Sequence, residues 1–251
     1  MKTVIVQHRI EWGQTDANLQ TLSCMMSRQP GADFYVLPET FATGFLAEGA
    51  NSGGKQVLRW MQQQSCLLDA AIAGSVAIED ERGLLRNRLF FVKPDGSYDY
   101  YDKHHLFGFA GETDAYVAGR RRVVVEWRGV RFLLQVCYDL RFPVFSRNHN
   151  DYDVALYVAN WPMRRREVWQ TLLKARALEN QCYVVGVNCV GTCSDIDYSG
   201  DSAVIDAYGQ TVVCCQPSCQ ETAVAMLDMQ ELERFRRKFP VLTDADTFAL
   251  R

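Results

Sequence analysis

Apolar residues occur along this chain in two spacings, and each spacing predicts one type of secondary structure. An apolar residue at every third or fourth position is typical of an amphipathic helix, whereas a short continuous or alternating apolar run is typical of a strand. The helical spacing occurs in residues 15–28, 55–69, 164–181 and 229–239. The strand-like runs lie in residues 4–6, 32–39, 70–80, 86–96, 97–103, 121–127, 130–137, 153–160, 182–191, 200–215 and 221–229. Strands and helices therefore alternate along the chain.

Several predicted strands follow one another with only a short turn between them, most clearly in residues 71–93 and 201–226. A purely parallel, doubly wound sheet has no need of such hairpins, because a helix follows each of its strands. We therefore predict an α/β fold in which two mixed sheets pack together with the helices outside. Residues 44–54, rich in small side chains, are expected to form a loop. No linker divides the sequence, so residues 1–251 are expected to form one domain.

The composition favours a folded protein that acts on small molecules. Hydrophobic residues make up 48% and charged residues 23% of the chain, which is enough for a sizeable core. The formal net charge of −3 gives no electrostatic reason to expect nucleic acid or an anionic membrane as a partner. The first apolar run, residues 4–6, is too short for a signal peptide, and no run approaches the length of a membrane helix. A cytoplasmic location is therefore expected.

The nine cysteines do not form a pattern that indicates disulfides or a metal. Their number is odd, and disulfides are rare in a reducing compartment. Five of them lie close together in sequence, but without paired C-x-x-C units and without a nearby histidine, so structural zinc is not expected. These five are Cys189, Cys193, Cys214, Cys215 and Cys219. Glycine-rich phosphate-binding motifs are absent as well, so we expect neither a metal nor a cofactor.

Three reactive side chains stand at the ends of predicted strands. Glu39 follows the run 32–39, Lys103 ends the run 97–103, and Cys137 ends the run 130–137. Strand ends on one rim of a sheet commonly meet in one cleft, where a carboxylate, an ammonium and a thiol would supply a base, an electrostatic stabiliser and a nucleophile. Each residue also fits a simpler role as a loop carboxylate, a surface charge or a core thiol. Spacing alone does not decide between these interpretations.

The local sequences around the three residues resemble a known family. The segments LPETFATGF, YYDKHHLF and CYDLRFP are similar to the three signature motifs of the nitrilase, or carbon–nitrogen hydrolase, superfamily, and they occur in the order of that family. Further similar segments are FAGE, VANWP, ARALENQCYVVGVN and GDSAVIDAYG, so the resemblance extends over nearly the whole chain. It implies a four-layer α-β-β-α sandwich, in agreement with the two sheets predicted above, and a homodimer.

The resemblance also implies a mechanism. Cys137 would attack the carbonyl carbon of an amide to form a thioester, and Glu39 would act as the general base. Lys103 and the backbone N–H of Tyr138 would stabilise the oxyanion. Glu112, in the FAGE segment, matches a second glutamate that the family places beside the lysine. This chemistry requires no metal and no cofactor.

Within the superfamily, the CYDLRFPVF and VANWP segments look most like the omega-amidase branch, which hydrolyses the terminal amide of 2-oxo acid monoamides such as 2-oxoglutaramate and 2-oxosuccinamate. Such substrates carry a carboxylate, for which Arg141 and Arg164 are candidate partners, although Arg141 could instead brace the turn after Cys137. The aromatic residues expected to line the pocket are Phe41, Tyr138 and Trp161, with a core position as the alternative for Trp161.

Two alternatives to an omega-amidase stay open on the sequence. One is another enzyme of the same mechanism, a nitrilase or a carbamoyl amidase, and the other is a binding module that keeps the fold without turnover. The chain also departs from related sequences at two positions. Cys189 stands where arginine is frequent, and Asp201 stands where histidine is frequent. These departures leave substrate preference and the dimer contact undecided.

Overall fold

A computed structural model of the chain describes residues 1–45 and 53–249; most of the predicted loop 44–54 lies outside these ranges. Its helices are α1 (Thr15–Ser27), α2 (Gly54–Leu68), α3 (Glu112–Ala115), α4 (Arg166–Asn180) and α5 (Met229–Lys238). Its strands are β1 (Lys2–Gln7), β2 (Phe34–Val36), β3 (Ala71–Glu79), β4 (Leu85–Val92), β5 (Tyr98–Asp102), β6 (Val124–Trp127), β7 (Val130–Val136), β8 (Val154–Ala159), β9 (Tyr183–Asn188), β10 (Val190–Cys193), β11 (Ile196–Ser199), β12 (Ala203–Ile205), β13 (Thr211–Cys214) and β14 (Glu221–Met226).

The strands form two six-stranded sheets of the same design. The first sheet has the order β14-β1-β2-β3-β4-β5, and the second has the order β13-β12-β9-β8-β7-β6. In each sheet three neighbouring strands run parallel, β1 to β3 in one and β7 to β9 in the other, and each outer strand pairs antiparallel with its neighbour. The hairpins predicted from the sequence supply these antiparallel outer strands, so the prediction of two mixed sheets is confirmed.

The two sheets pack face to face through a core of aromatic and branched side chains. The Phe132 ring of β7 lies 5.0 Å from the Phe34 ring of β2 and 5.3 Å from the Phe91 ring of β4, measured between centroids. Phe132, Leu134 and Val136 alternate with residues of the opposite face along β7, and all three are fully buried. Full burial of each such side chain contributes roughly 1.5–3 kcal/mol. This inner layer holds the strand ends of both sheets in place.

Helices cover the two outer faces of the sandwich. Leu22 of α1 and Val57 of α2 pack on the outer face of the first sheet, whereas Trp169 and Leu173 of α4 pack on the outer face of the second. Among the described residues, no helix is long and apolar enough to cross a lipid bilayer. The layers therefore follow the order helix, sheet, sheet, helix, as the resemblance implied.

The hairpin of β10 and β11 was not predicted from the sequence. The apolar run 182–191 predicts a single strand. In the structure the strand of the second sheet ends at Asn188, and Val190 begins a new strand that pairs with Ser199. The turn uses Ser194 and Asp195 in the left-handed region, with φ of +47° and +61°. The usual glycine signal of such a turn is missing here, so the sequence does not reveal it.

His8 is expected to make folding acid-sensitive. Its ring is buried just after β1, with Nε2 3.2 Å from Asn18 Oδ1. Burial lowers the pKa of His8 from 6.5 to about 4, and the hydrogen bond with Asn18 offsets only part of this shift. Between these two pH values the unfolded chain binds a proton that the folded chain does not, so stability falls as the pH falls through this window. The loss reaches about 3 kcal/mol, since a tenfold change in proton affinity corresponds to about 1.4 kcal/mol.

Urea unfolding at pH 7 and pH 4.5 measures this effect when the chain is compared with a His8→Gln variant. The variant should lose less stability than the parent between the two pH values, because glutamine does not titrate. Equal losses in both proteins would show that His8 does not contribute to the acid sensitivity.

Candidate active site

Three strand ends from the two sheets meet at one cavity of about 400 Å³. Glu39 lies three residues after β2, Lys103 directly follows β5, and Cys137 directly follows β7. All three side chains line this cavity, together with Glu112 at the start of α3. The sandwich therefore brings together residues that are far apart in the sequence, in the way that the strand-end pattern predicted.

Lys103 lies at the centre of a buried cluster of charges. Its Nζ is 2.9 Å from Glu39 Oε1 and 2.8 Å from Glu112 Oε2, and all three side chains are almost fully buried. Burial by itself lowers the pKa of Lys103, but the charges of Glu39 and Glu112 outweigh it and raise that pKa well above its usual value. The lysine is therefore a fixed positive charge at the floor of the cavity.

Two asparagines, Asn87 and Asn160, hold the carboxylates in position. The Asn87 side chain donates to Glu39 Oε1 at 2.8 Å and to Glu112 Oε1 at 3.0 Å. The backbone N–H of Asn160 donates to the other oxygen of Glu39 at 2.8 Å. The sequence analysis did not select either residue. The sequence does contain a signal for Asn87: it lies two residues before apolar Leu89 in a predicted strand, so its amide is expected on the core-facing side of β4.

Cys137 directly follows β7 and is the first residue of a short 3₁₀ helix, Cys137–Arg141. Its φ is +47°, a conformation that non-glycine residues adopt at a cost and that often marks functional positions. Burial raises the pKa of the thiol well above its usual value; the charge of Glu39 adds to this effect, whereas Lys103 opposes it. The resting sulfur is therefore protonated, and its reaction requires a base. Glu39, whose carboxylate lines the same cavity as the thiol, is in place for that role.

Aromatic rings and guanidinium groups form the upper wall of the cavity. Arg141 lies over the Trp161 ring at 5.1 Å, and Arg165 lies over the Phe107 ring at 5.2 Å. Arg164 lines the same wall. Within residues 1–45 and 53–249, none of these three arginines has a carboxylate within 4.0 Å. The mouth of the cavity thus carries positive charge that no carboxylate among the described residues pairs with.

The structure places most of the predicted binding residues at this cavity, with one exception. Tyr138, Arg141, Arg164 and Trp161 all line it. The prediction for Phe41 is wrong: its side chain is fully buried and packs against Trp60 of α2, with 5.8 Å between ring centroids. The reason is the turn after β2, which directs Glu39 into the cavity and the nearby ring into the helix–sheet interface.

The two positions that depart from related sequences lie beside the cavity rather than in it. Cys189 is buried at the end of β9 against Ile10 and Tyr198. Asp201 accepts hydrogen bonds from Arg166 at 2.5 Å and from Gln170 at 3.0 Å, so it fixes the first turn of α4. Both residues therefore support elements around the site.

The layered fold and the buried Glu–Lys–Glu–Cys cluster are those of a nitrilase-superfamily enzyme. Residues 2–237 match the sequence model of the carbon–nitrogen hydrolase family, and the chain belongs to this family. It is accordingly a hydrolase that acts on carbon–nitrogen bonds.

Individual relatives are similar over the full length. The chain is 46% identical to the omega-amidase YafV of Escherichia coli K12, over 100% of this chain and 98% of the relative. It is 32% identical to the 2-oxoglutaramate amidase of Bacillus subtilis, over 95% of each chain. The crystal structure of XC1258 from Xanthomonas campestris, a CN-hydrolase superfamily protein with an arsenic adduct in its active site, superposes with a TM-score of 0.93 at 39% identity, over 100% of this chain and 99% of that one.

Proposed function

We propose that this chain is an omega-amidase that converts small 2-oxo acid monoamides, such as 2-oxoglutaramate and 2-oxosuccinamate, to the 2-oxo acid and ammonia. The observation that carries the proposal is the cluster in which Lys103 Nζ contacts both Glu39 and Glu112 in a cavity that also contains Cys137. The names of the relatives from Escherichia coli and Bacillus subtilis support the choice of substrate.

The first half-reaction forms a thioester on Cys137. Glu39 accepts the thiol proton while the sulfur attacks the amide carbon, and the carbonyl oxygen becomes an oxyanion. Glu39 then returns the proton to the amide nitrogen, the carbon–nitrogen bond breaks, and ammonia leaves. The position of Glu39 and Cys137 in one cavity is in line with this transfer.

Two donors stabilise the oxyanion in this mechanism. The Lys103 ammonium lies in the cavity, and the backbone N–H of Tyr138 lies at the start of the 3₁₀ turn next to the sulfur. Because burial has already removed Lys103 from water, its charge needs little reorganisation when the oxyanion appears. Glu112 and Asn87 keep the ammonium and Glu39 in fixed positions.

The second half-reaction uses Glu39 again. The carboxylate takes a proton from a water molecule, the resulting hydroxide attacks the thioester carbon, and the carbon–sulfur bond breaks. The proton then returns from Glu39 to the Cys137 sulfur, which restores the free enzyme. One carboxylate therefore serves as base and acid in turn.

The charge of the cavity favours an anionic substrate. Its lining has four cations, Lys103, Arg141, Arg164 and Arg165, and two carboxylates, Glu39 and Glu112, among the described residues. A substrate carboxylate would offset part of the excess positive charge, with Arg141 and Arg164 as its partners. The ammonium group of glutamine would be repelled by the same guanidinium groups. The 2-oxo acid amide is therefore the better substrate on electrostatic grounds.

The substrate is tested by following ammonia release from 2-oxoglutaramate, 2-oxosuccinamate, glutamine and simple nitriles. The 2-oxo acid amides should give the highest kcat/KM. In an Arg141→Gln variant, KM for 2-oxoglutaramate should rise about 10- to 100-fold, because a hydrogen bond to a charged group contributes roughly 1.5–3 kcal/mol. An Arg147→Gln variant is the control, since that arginine binds the carbonyl oxygen of Glu179 away from the cavity. Faster turnover of nitriles would contradict the proposal.

The remaining expectations from the sequence stay proposals. We propose that the enzyme is a cytoplasmic homodimer of one-domain chains, as the family resemblance suggested. Light scattering coupled to size-exclusion chromatography tests the dimer, and a single mass of one chain at micromolar concentration would contradict it.

A further inference from the structure

Asp139, two residues after Cys137, is a fully buried carboxylate that the mechanism above does not use. Its Oδ2 accepts hydrogen bonds from the Tyr101 hydroxyl at 2.8 Å and from the Val136 backbone N–H at 2.9 Å. Its Oδ1 accepts from the His105 backbone N–H at 3.0 Å and lies 2.8 Å from His105 Nδ1. Four contacts to one buried carboxylate indicate that its position is closely determined.

The donors belong to the two segments that carry the reactive groups. Tyr101 and His105 lie two residues before and two residues after Lys103, and Val136 directly precedes Cys137. One carboxylate thus joins the end of β5, in the first sheet, to the end of β7, in the second. The Tyr101 hydroxyl extends the connection by accepting the backbone N–H of His104 at 3.0 Å.

A ring contact reinforces the same connection. The His105 ring stacks on Phe142, with 3.8 Å between centroids and 7° between planes, directly after the 3₁₀ helix that begins at Cys137. The left-handed backbone of Cys137 persists only where its surroundings impose it, and the Val136 N–H bond to Asp139 is one such constraint.

We propose that Asp139 is a positioning residue that sets the location of the Cys137 sulfur relative to the Lys103 ammonium by holding both segments through one carboxylate. Asp139 is not among the described residues that line the cavity, so it acts through its neighbours rather than on the substrate. This inference depends on the proposed roles of Cys137 and Lys103.

An Asp139→Asn variant tests the inference with little change in shape. An amide has only one acceptor oxygen, so its NH₂ group must face either the Val136 N–H or the His105 N–H. One of these two backbone donors then loses its acceptor and meets another donor. We expect kcat for 2-oxoglutaramate to fall about 100-fold, as a misplacement of roughly 1 Å does at other active sites. KM should change little, because the arginines at the mouth of the cavity are untouched.

The reactivity of the sulfur gives a second measurement that needs no substrate. Iodoacetamide alkylation of Cys137 is followed by mass spectrometry across pH, with exposed Cys24 as the internal reference in the same sample. In the Asp139→Asn variant the rate profile of Cys137 should shift relative to the parent while that of Cys24 does not.

An Asp153→Asn variant is the matched control. Like Asp139, Asp153 is a carboxylate with partners in distant segments, here Arg131 and Arg236, but it lies away from the cavity. Its loss should therefore lower Tm but leave kcat and the Cys137 profile unchanged.

Two milder variants allow the inference to be tested even if Asp139→Asn does not fold. Tyr101→Phe removes one donor, and His105→Phe keeps a ring for stacking on Phe142 but removes the side-chain hydrogen bond. Each should lower kcat about tenfold, less than Asp139→Asn does, because each removes one of the four contacts to the Asp139 carboxylate and leaves the other three. The inference is overturned if these variants and Asp139→Asn lower Tm alone, with kcat and the Cys137 profile within twofold of the parent. If the parent itself releases no ammonia, the proposed function fails instead, and the alkylation profiles still test the positioning role.

Discussion

Replacement of Cys137 by alanine is expected to abolish ammonia release from 2-oxoglutaramate, with a loss in kcat on the order of 10⁶, as for the removal of a protease nucleophile. The sulfur is the atom that forms the covalent intermediate in the proposed mechanism, and no other described cysteine lines the cavity. Steady-state kinetics measures the loss. In the parent enzyme, acid quenching during turnover followed by mass spectrometry should reveal an acyl group on Cys137.

The fold should tolerate this change, which allows a clear control. Alanine removes only a small, partly buried thiol and keeps the left-handed backbone of this turn, so Tm should change little. A Cys193→Ala variant, altered in β10 outside the cavity lining, should keep full turnover. Residual turnover of more than about a thousandth of the parent value in Cys137→Ala would show that another group performs the attack, since loss of a single oxyanion donor alone costs about that much.

Replacement of Lys103 by methionine is expected to reduce kcat at least 100- to 1,000-fold, because the oxyanion loses a donor that typically contributes about 2.7–4 kcal/mol. The same change leaves Glu39 and Glu112 buried without a counter-ion. Removal of one partner from a buried ion pair typically costs about 3–5 kcal/mol of stability. Turnover and urea unfolding should therefore both respond to this variant.

A double variant separates these two effects. Lys103→Met combined with Glu112→Gln removes one of the stranded charges, so stability should recover in part. Turnover should not recover, because the oxyanion donor is still missing. If the double variant regains activity as well as stability, the function of Lys103 is to neutralise Glu112, and the assignment of Lys103 as an oxyanion donor is wrong.

The tertiary structure also changes how individual residues near the motifs are interpreted. Phe41 and Trp161 are both aromatic residues within matched segments, yet only Trp161 lines the cavity. Sequence spacing does not report on which side of a turn a ring emerges, and the turn after β2 decides this for Phe41. Asn87 and Asp139 are polar residues next to apolar runs. The spacing places Asn87 on the core-facing side of β4, but it does not indicate which groups either residue contacts.

The sequence by itself determined the alternation of strands and helices, the presence of hairpins on mixed sheets and the positions of Glu39, Lys103 and Cys137 at strand ends. These features are local, since they follow from hydrophobic spacing and from the residue that ends each run. Only the tertiary structure decided which polar groups meet across the sandwich. Asp139 contacts Tyr101, and Asn87 contacts Glu39, over separations of 38 and 48 residues. Such contacts depend on how two sheets align, and that alignment arises from the packing of the whole core rather than from any one segment.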